Sequence, residues 1–284
     1  MDKYGLPTAQ SKSPGKWGNW LAVLCGCLAP VFFPPIHIGI LYFFWEDFSR
    51  SVDKHFCSCS CWDTVFKGTY ETGVAAYKHL YFNATSNTFK IWILTVVSMI
   101  ALYESIRHLT LLMLQRQLRF SMLILFLSSV FAHYYSWWAY VNYWNDDYYS
   151  QWNHQLFFTV SELFSTILVV HLAHSENSVT VHKVLGITGI ALIHVLAGGA
   201  DQFIENVIRG EGYSHQVLRD LGFMFPDLLH VCLPLYELRR SRKERSRLRF
   251  TEFLGLMILV FLGFLVCSVL MNQGAIQEPY GAEQ

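Results

Sequence analysis

Seven stretches of mostly apolar residues dominate this chain: Trp17–Trp45, Ile91–Leu114, Phe120–Val141, Gln155–His174, Val184–Phe203, Leu218–Leu238 and Phe253–Met271. A helix rises about 1.5 Å per residue, so roughly 20 residues cross the ~30 Å hydrocarbon core of a bilayer. No array of alternating strands accompanies the runs, so a β-barrel is not the expectation. The pattern predicts an all-α polytopic membrane helix bundle of about seven transmembrane helices. It divides into a tail (1–16), one transmembrane domain (17–272) and a second tail (273–284). Charged residues make up 15% of the chain, against about 25% in soluble domains. Aromatic residues make up 16%, which suits belts at the two membrane interfaces. Lys and Arg number 21, as do Asp and Glu, so net charge gives no basis for a nucleic-acid partner. The lipid bilayer, of the plasma membrane or an endomembrane, is the partner that the composition requires.

The first run contains Pro30, Pro34 and Pro35 within APVFFPPIHIG. Proline removes a backbone donor and kinks or breaks a helix. The run therefore reads as one broken crossing, with a re-entrant dip as the alternative.

Orientation follows from Lys and Arg in short connections, which favour the cytoplasmic side. The sequence ELRRSRKERSRLRF has seven Lys/Arg between Arg239 and Arg249, so the connection over 239–250 is expected to be cytoplasmic. Alternation then puts the N-terminus in the cytoplasm and the C-terminus on the extracellular or luminal side. Lys3, Lys12, Lys16, Arg116, Arg119 and Lys183 agree with this, as does the absence of Lys and Arg after Met271. The long connection 46–90 fits least well, since it is predicted outside yet holds Arg50, Lys54, Lys67, Lys78 and Lys90. This orientation is opposite to that of G-protein-coupled receptors.

That connection also holds Cys57, Cys59 and Cys61 and the sequon Asn83-Ala84-Thr85. On the outer side Asn83 is a glycosylation acceptor. The cysteines would then be disulfide-bonded or free. Palmitoylation is the cytoplasmic alternative, and a metal clip is the third reading, although Cys-x-Cys-x-Cys is not a usual zinc spacing.

Five runs place an ionisable residue near mid-membrane: Glu104, His133, Glu162, His194 and Asp227. A second group, His108, His171 and His230, lies nearer the predicted cytoplasmic side, with His174 at its boundary. Glu104 and His108 share a helix face, as do Asp227 and His230, and His171 and His174. A charge in hydrocarbon costs on the order of 3 kcal/mol even on a lenient scale. Such groups face the bundle interior, where they pair, protonate or line water. The plainest reading is that each one is a hydrogen-bonded strut between helices. The functional reading is a common Glu/His/Asp cluster serving proton- or cation-linked transport, whose partner is a proton, a cation or a small-molecule substrate.

Two alternatives use the same residues. Histidine and carboxylates ligate zinc, which can activate a water. Histidines at matching depth on alternate spans (His108 with His171, His133 with His194) suit bis-histidine haem. A further alternative is a non-enzymatic receptor-like or scaffold membrane protein. No Walker loop, dinucleotide-binding glycine pattern, serine elbow or HExxH box occurs, so no catalytic residue is assigned.

Overall fold

The computed structural model describes residues 15–50, 64–67, 76–79, 86–146, 152–241 and 250–276. Among the described residues seven α-helices carry the fold: α1 (Lys16–Arg50), α2 (Ser86–Leu114), α3 (Phe120–Asp146), α4 (Trp152–Ala173), α5 (Val181–Gly198), α6 (Ser214–Ser241) and α7 (Phe250–Ile276). All seven contain a segment long and apolar enough to cross a membrane. Between α1 and α2, β1 (Thr64–Lys67) and β2 (Ala76–His79) pair antiparallel, with Thr64 opposite His79. Cys57, Cys59, Cys61 and Asn83 lie outside the described residues, as do 242–249 of the basic connection.

The prolines of α1 do not divide it. Lys16–Arg50 forms one continuous helix of 35 residues rather than a hairpin. The fifth run departs more from expectation, because α5 stops at Gly198 and continues directly into a π-helix, π1 (Gly199–Ile208). The wider π turn is closed by Arg209 N–H donating to Ile204 O at 2.9 Å. Gly210 ends the element with φ of 72°, a left-handed conformation that glycine adopts without steric cost.

The helices pack in a definite order. α3, α4, α5 and α6 enclose the centre, with α3 against α4 and α6, and α5 against α6. α7 closes the bundle across α4 and α5, while α1 lies along α2. The α5–α7 seam is close because a glycine on each helix faces a large side chain on the other. A Cβ at Gly189 would strike Leu259, and one at Gly263 would strike Ile193. Small residues allow such backbone approach between helices in lipid, where no hydrophobic force draws them together.

The outer surface is apolar. Phe89, Trp92, Val97, Ile124, Leu127, Ile167, Phe225, Phe261 and Leu262 are all exposed. In water this much contiguous apolar surface would drive association, whereas facing acyl chains it is at home. These features are compatible with a multi-pass membrane protein.

The two ends of the bundle differ. At the end carrying the basic connection, Leu109, Leu112, Met122, Leu125, Val169, Leu172 and Ile187 form a buried apolar collar contributed by α2, α3, α4 and α5. Below it the α2–α3 connection pairs with the α4–α5 connection. Arg119 N–H donates to Ala173 O, and Ser175 N–H to Gln117 O, both at 2.7 Å. The Arg119 guanidinium donates to the carbonyls of Leu172, Ser175 and Asn177, and so satisfies orphan acceptors at the α4 C-terminus. Glu237 of α6 lies 4.0 Å from Arg119 Nε and accepts from Ser121 Oγ at 2.7 Å. At the opposite end the aromatic run forms contacts across helices: Tyr140 and Trp144 of α3 meet Trp152 of α4 at ring-centre distances of 4.9 and 5.6 Å respectively.

Candidate functional site

Between these ends, three consecutive helices each direct an ionisable side chain to one place. α4 brings Glu162, α5 brings His194 and α6 brings Asp227, and one ligand atom from each lies within 4.8 Å of the others. His194 Nδ1 is 3.7 Å from Glu162 Oε2 and 3.5 Å from Asp227 Oδ1. His194 is 7% exposed and Glu162 8%, so neither charge is screened by bulk water. The other ring nitrogen, Nε2, is 2.8 Å from Ser161 Oγ. Ser161 Oγ is also placed to donate to Phe157 O at 2.7 Å. Phe158 covers the imidazole, with ring centres 4.9 Å apart.

The convergence has a local cause. Glu162 and Thr166 are one turn apart on α4, and so are Ser129 and His133 on α3 and Asp227 and His230 on α6. Residues three or four apart share a helix face, so each helix presents a polar stripe rather than a lone group. The stripes meet in layers. His133 Nε2 is 2.8 Å from Thr166 Oγ1 across the α3–α4 interface. His230 is 2% exposed, and its Nε2 is 3.2 Å from Ser129 Oγ across the α3–α6 interface. Its Nδ1–H donates to Pro226 O at 2.8 Å. Pro226 and Pro234 lie within α6 without ending it. His133 lies within electrostatic reach of Glu162 and His230, and Asp227 within reach of Glu162 and His230. The layers thus form one polar column that runs from Glu162, His194 and Asp227 towards the apolar collar.

A second polar group caps the column at the aromatic end. π1 turns Asn206 and Gln202 towards the start of α6. Asn206 Nδ2 donates to Asp220 Oδ2 at 2.7 Å, Arg219 Nε to Asp220 Oδ1 at 2.8 Å, and Arg219 Nη2 to Gln202 Oε1.

Of the five mid-depth residues singled out in the sequence, Glu162, His194 and Asp227 come together and His133 joins the column one layer away. Glu104 stands apart. Its side chain is 52% exposed and accepts from Arg107 Nη2 at 2.8 Å on its own helix. The more peripheral histidines also separate. His108 is exposed and its electrostatic neighbour is His174, while His171 Nε2 is 3.0 Å from Lys183 Nζ. The sequence does not single out Ser161, Ser129 or Thr166, although Ser129 and Thr166 share a helix face with His133 and Glu162. A hydroxyl four positions from an intramembrane Glu or His was the available signal for Ser129 and Thr166, whereas Ser161, adjacent to Glu162, reaches His194 on a neighbouring helix and offered none.

No curated protein and no solved structure matches the chain. One family does match, over residues 19–270. That span runs from α1 into α7 and includes Glu162, His194 and Asp227, so the chain belongs to the family described as a family of unknown function (DUF8801).

Proposed function

We propose that this chain is a multi-pass membrane protein that carries out proton- or cation-linked transport, with Glu162, His194 and Asp227 as the centre that binds the moving charge. The observation that carries this reading is the meeting of two carboxylates and one imidazole, from three consecutive helices, within 4.8 Å. Burying such groups is costly unless they pair or hold an ion. A strut between two helices needs one donor and one acceptor, and His133 with Thr166 already provides that pattern. Three titratable groups around one point exceed what fastening requires. The column through His133, Thr166, Ser129 and His230 supplies further exchangeable positions along the bundle axis. The reading includes a cytoplasmic N-terminus and an extracellular or luminal C-terminus, supported by the basic residues at Arg239 and beyond.

The test is flux into liposomes containing the purified chain, followed with an internal pH indicator under an imposed gradient. Glu162→Gln and Asp227→Asn should each bring the rate down to that of empty liposomes while the protein elutes unchanged from a sizing column. Glu104→Gln should leave it unaltered. Equal flux in all three variants would remove the centre from the mechanism.

A further inference from the structure

We infer that Glu162, His194 and Asp227 form a binding site for a divalent first-row transition-metal cation of the Zn2+ class, with Ser161 orienting the imidazole. The inference rests on reading this cluster as the cation centre, and it names the cation.

Distance is the first reason. The contacts between His194 and the two carboxylates are long. Their ion-pair partner, His194 Nδ1, is 3.5 and 3.7 Å away. A charge-assisted N–H···O bond is about 2.7–2.9 Å long, so these groups stand apart by more than a shared proton spans. Zinc bonds of about 2.0–2.2 Å to nitrogen and oxygen set a tetrahedral ligand-to-ligand edge of about 3.3–3.5 Å. The two separations from His194 lie near that edge, and all three ligand atoms fall within 4.8 Å of one another.

Hydrogen bonding is the second. With a cation on Nδ1, the Nε2–H donates to Ser161 Oγ, and the Ser161 hydroxyl donates to Phe157 O. Every proton then has an acceptor, and Nδ1 presents a lone pair to the carboxylates' side. A ligating histidine held through its other nitrogen is the usual outer-shell arrangement, and it fixes ring orientation and tautomer.

Charge is the third. Two carboxylates carry two negative charges in a medium where uncompensated charge is costly. One divalent cation with a neutral imidazole balances them. The donor set then selects among divalent ions. Calcium takes six to eight oxygens, and magnesium keeps several waters in a strict octahedron. One nitrogen and two carboxylates suit zinc, manganese and iron(II). Three protein ligands leave a coordination position open to exchange, as in non-structural sites.

The experiment is calorimetric titration of Zn2+ into the full-length chain, purified in detergent and stripped with a chelator, with Ca2+ and Mg2+ in parallel. One Zn2+ per chain is expected, with no heat of binding for Ca2+ or Mg2+. Glu162→Gln and Asp227→Asn should weaken Zn2+ binding by more than about 100-fold, beyond the roughly 10- to 100-fold of an outer-shell partner. Glu104→Gln should bind as the parent chain does. X-ray absorption at the zinc edge of the parent protein decides independently of whether any variant folds. A shell of nitrogen and oxygen near about 2.0–2.2 Å supports the site, whereas sulfur near about 2.3 Å would assign the metal to the cysteines and overturn it. Absence of Zn2+ binding by the parent chain overturns it too. Proton flux in a chain that binds no Zn2+ would overturn this assignment and leave the transport reading standing. Zn2+ bound by Glu162, His194 and Asp227 without any flux would do the reverse.

Discussion

At the scale of single residues, the centre depends on a hydroxyl beside it. Ser161 touches His194 Nε2 at 2.8 Å and turns the opposite nitrogen towards Glu162 and Asp227. Ser161→Ala keeps every ligand and removes only this tether. We expect it to lower Zn2+ affinity by roughly 10- to 100-fold, with Ser161→Thr restoring most of the loss, both measured by the same titration. A packing defect alone would lower thermal stability without that selective rescue. Glu104 illustrates what residue-level reading of the sequence can and cannot supply. Its depth, like that of Glu162, follows from counting along an apolar run. Its direction does not, because a helix turns about 100° per residue and facing is decided by what packs where. Arg107 on the same helix gave Glu104 a partner at 2.8 Å, so it stays on the periphery, whereas Glu162 has no such neighbour on α4. Ser161 was equally hidden, since a serine in an apolar helix usually bonds only its own backbone.

At the scale of elements, the helices were legible and their junctions were not. Each apolar run became a helix because only internally bonded backbone is viable in hydrocarbon. The shift from α5 to π1 at Gly199 is not legible as such: the chain turns polar there with Asp201, Gln202, Glu205 and Asn206, as it does at many span ends, and that composition does not specify the wider hydrogen-bond spacing. The prolines of α1 misdirect for the opposite reason: they suggest a break, but the helix continues through them. The α5–α7 seam offers a direct test of element packing. Gly263→Leu would press a branched side chain onto Ile193, and overpacking of this kind costs about 1–3 kcal/mol. The expected result is a lower midpoint of thermal unfolding in detergent. Pairing Gly263→Ala with Ile193→Val, which makes room across the seam, should recover most of the midpoint lost by Gly263→Ala alone. An unchanged midpoint in Gly263→Leu would mean that α5 and α7 are not in close contact.

At the scale of the whole molecule, the basic connection and the apolar exterior define how the chain would sit in a membrane. A cysteine introduced into 273–284 of intact cells should react with a membrane-impermeant maleimide, and one introduced into 242–248 should react only after permeabilisation. The reverse pattern would invert the orientation and move the sequon at Asn83 to the cytoplasm. The packing asymmetry carries a consequence for rate. Leu125, Val169, Leu172 and Ile187 are fully buried among the described residues, and they form an apolar layer between the polar column and the basic end. If the chain transports as proposed, an occupant at His194 meets this apolar collar on that side, and its passage waits for helices to slide apart, a motion of about microseconds to milliseconds. Traffic through such a molecule is counted in discrete cycles, one occupant at a time, and not as the continuous current of an open pore.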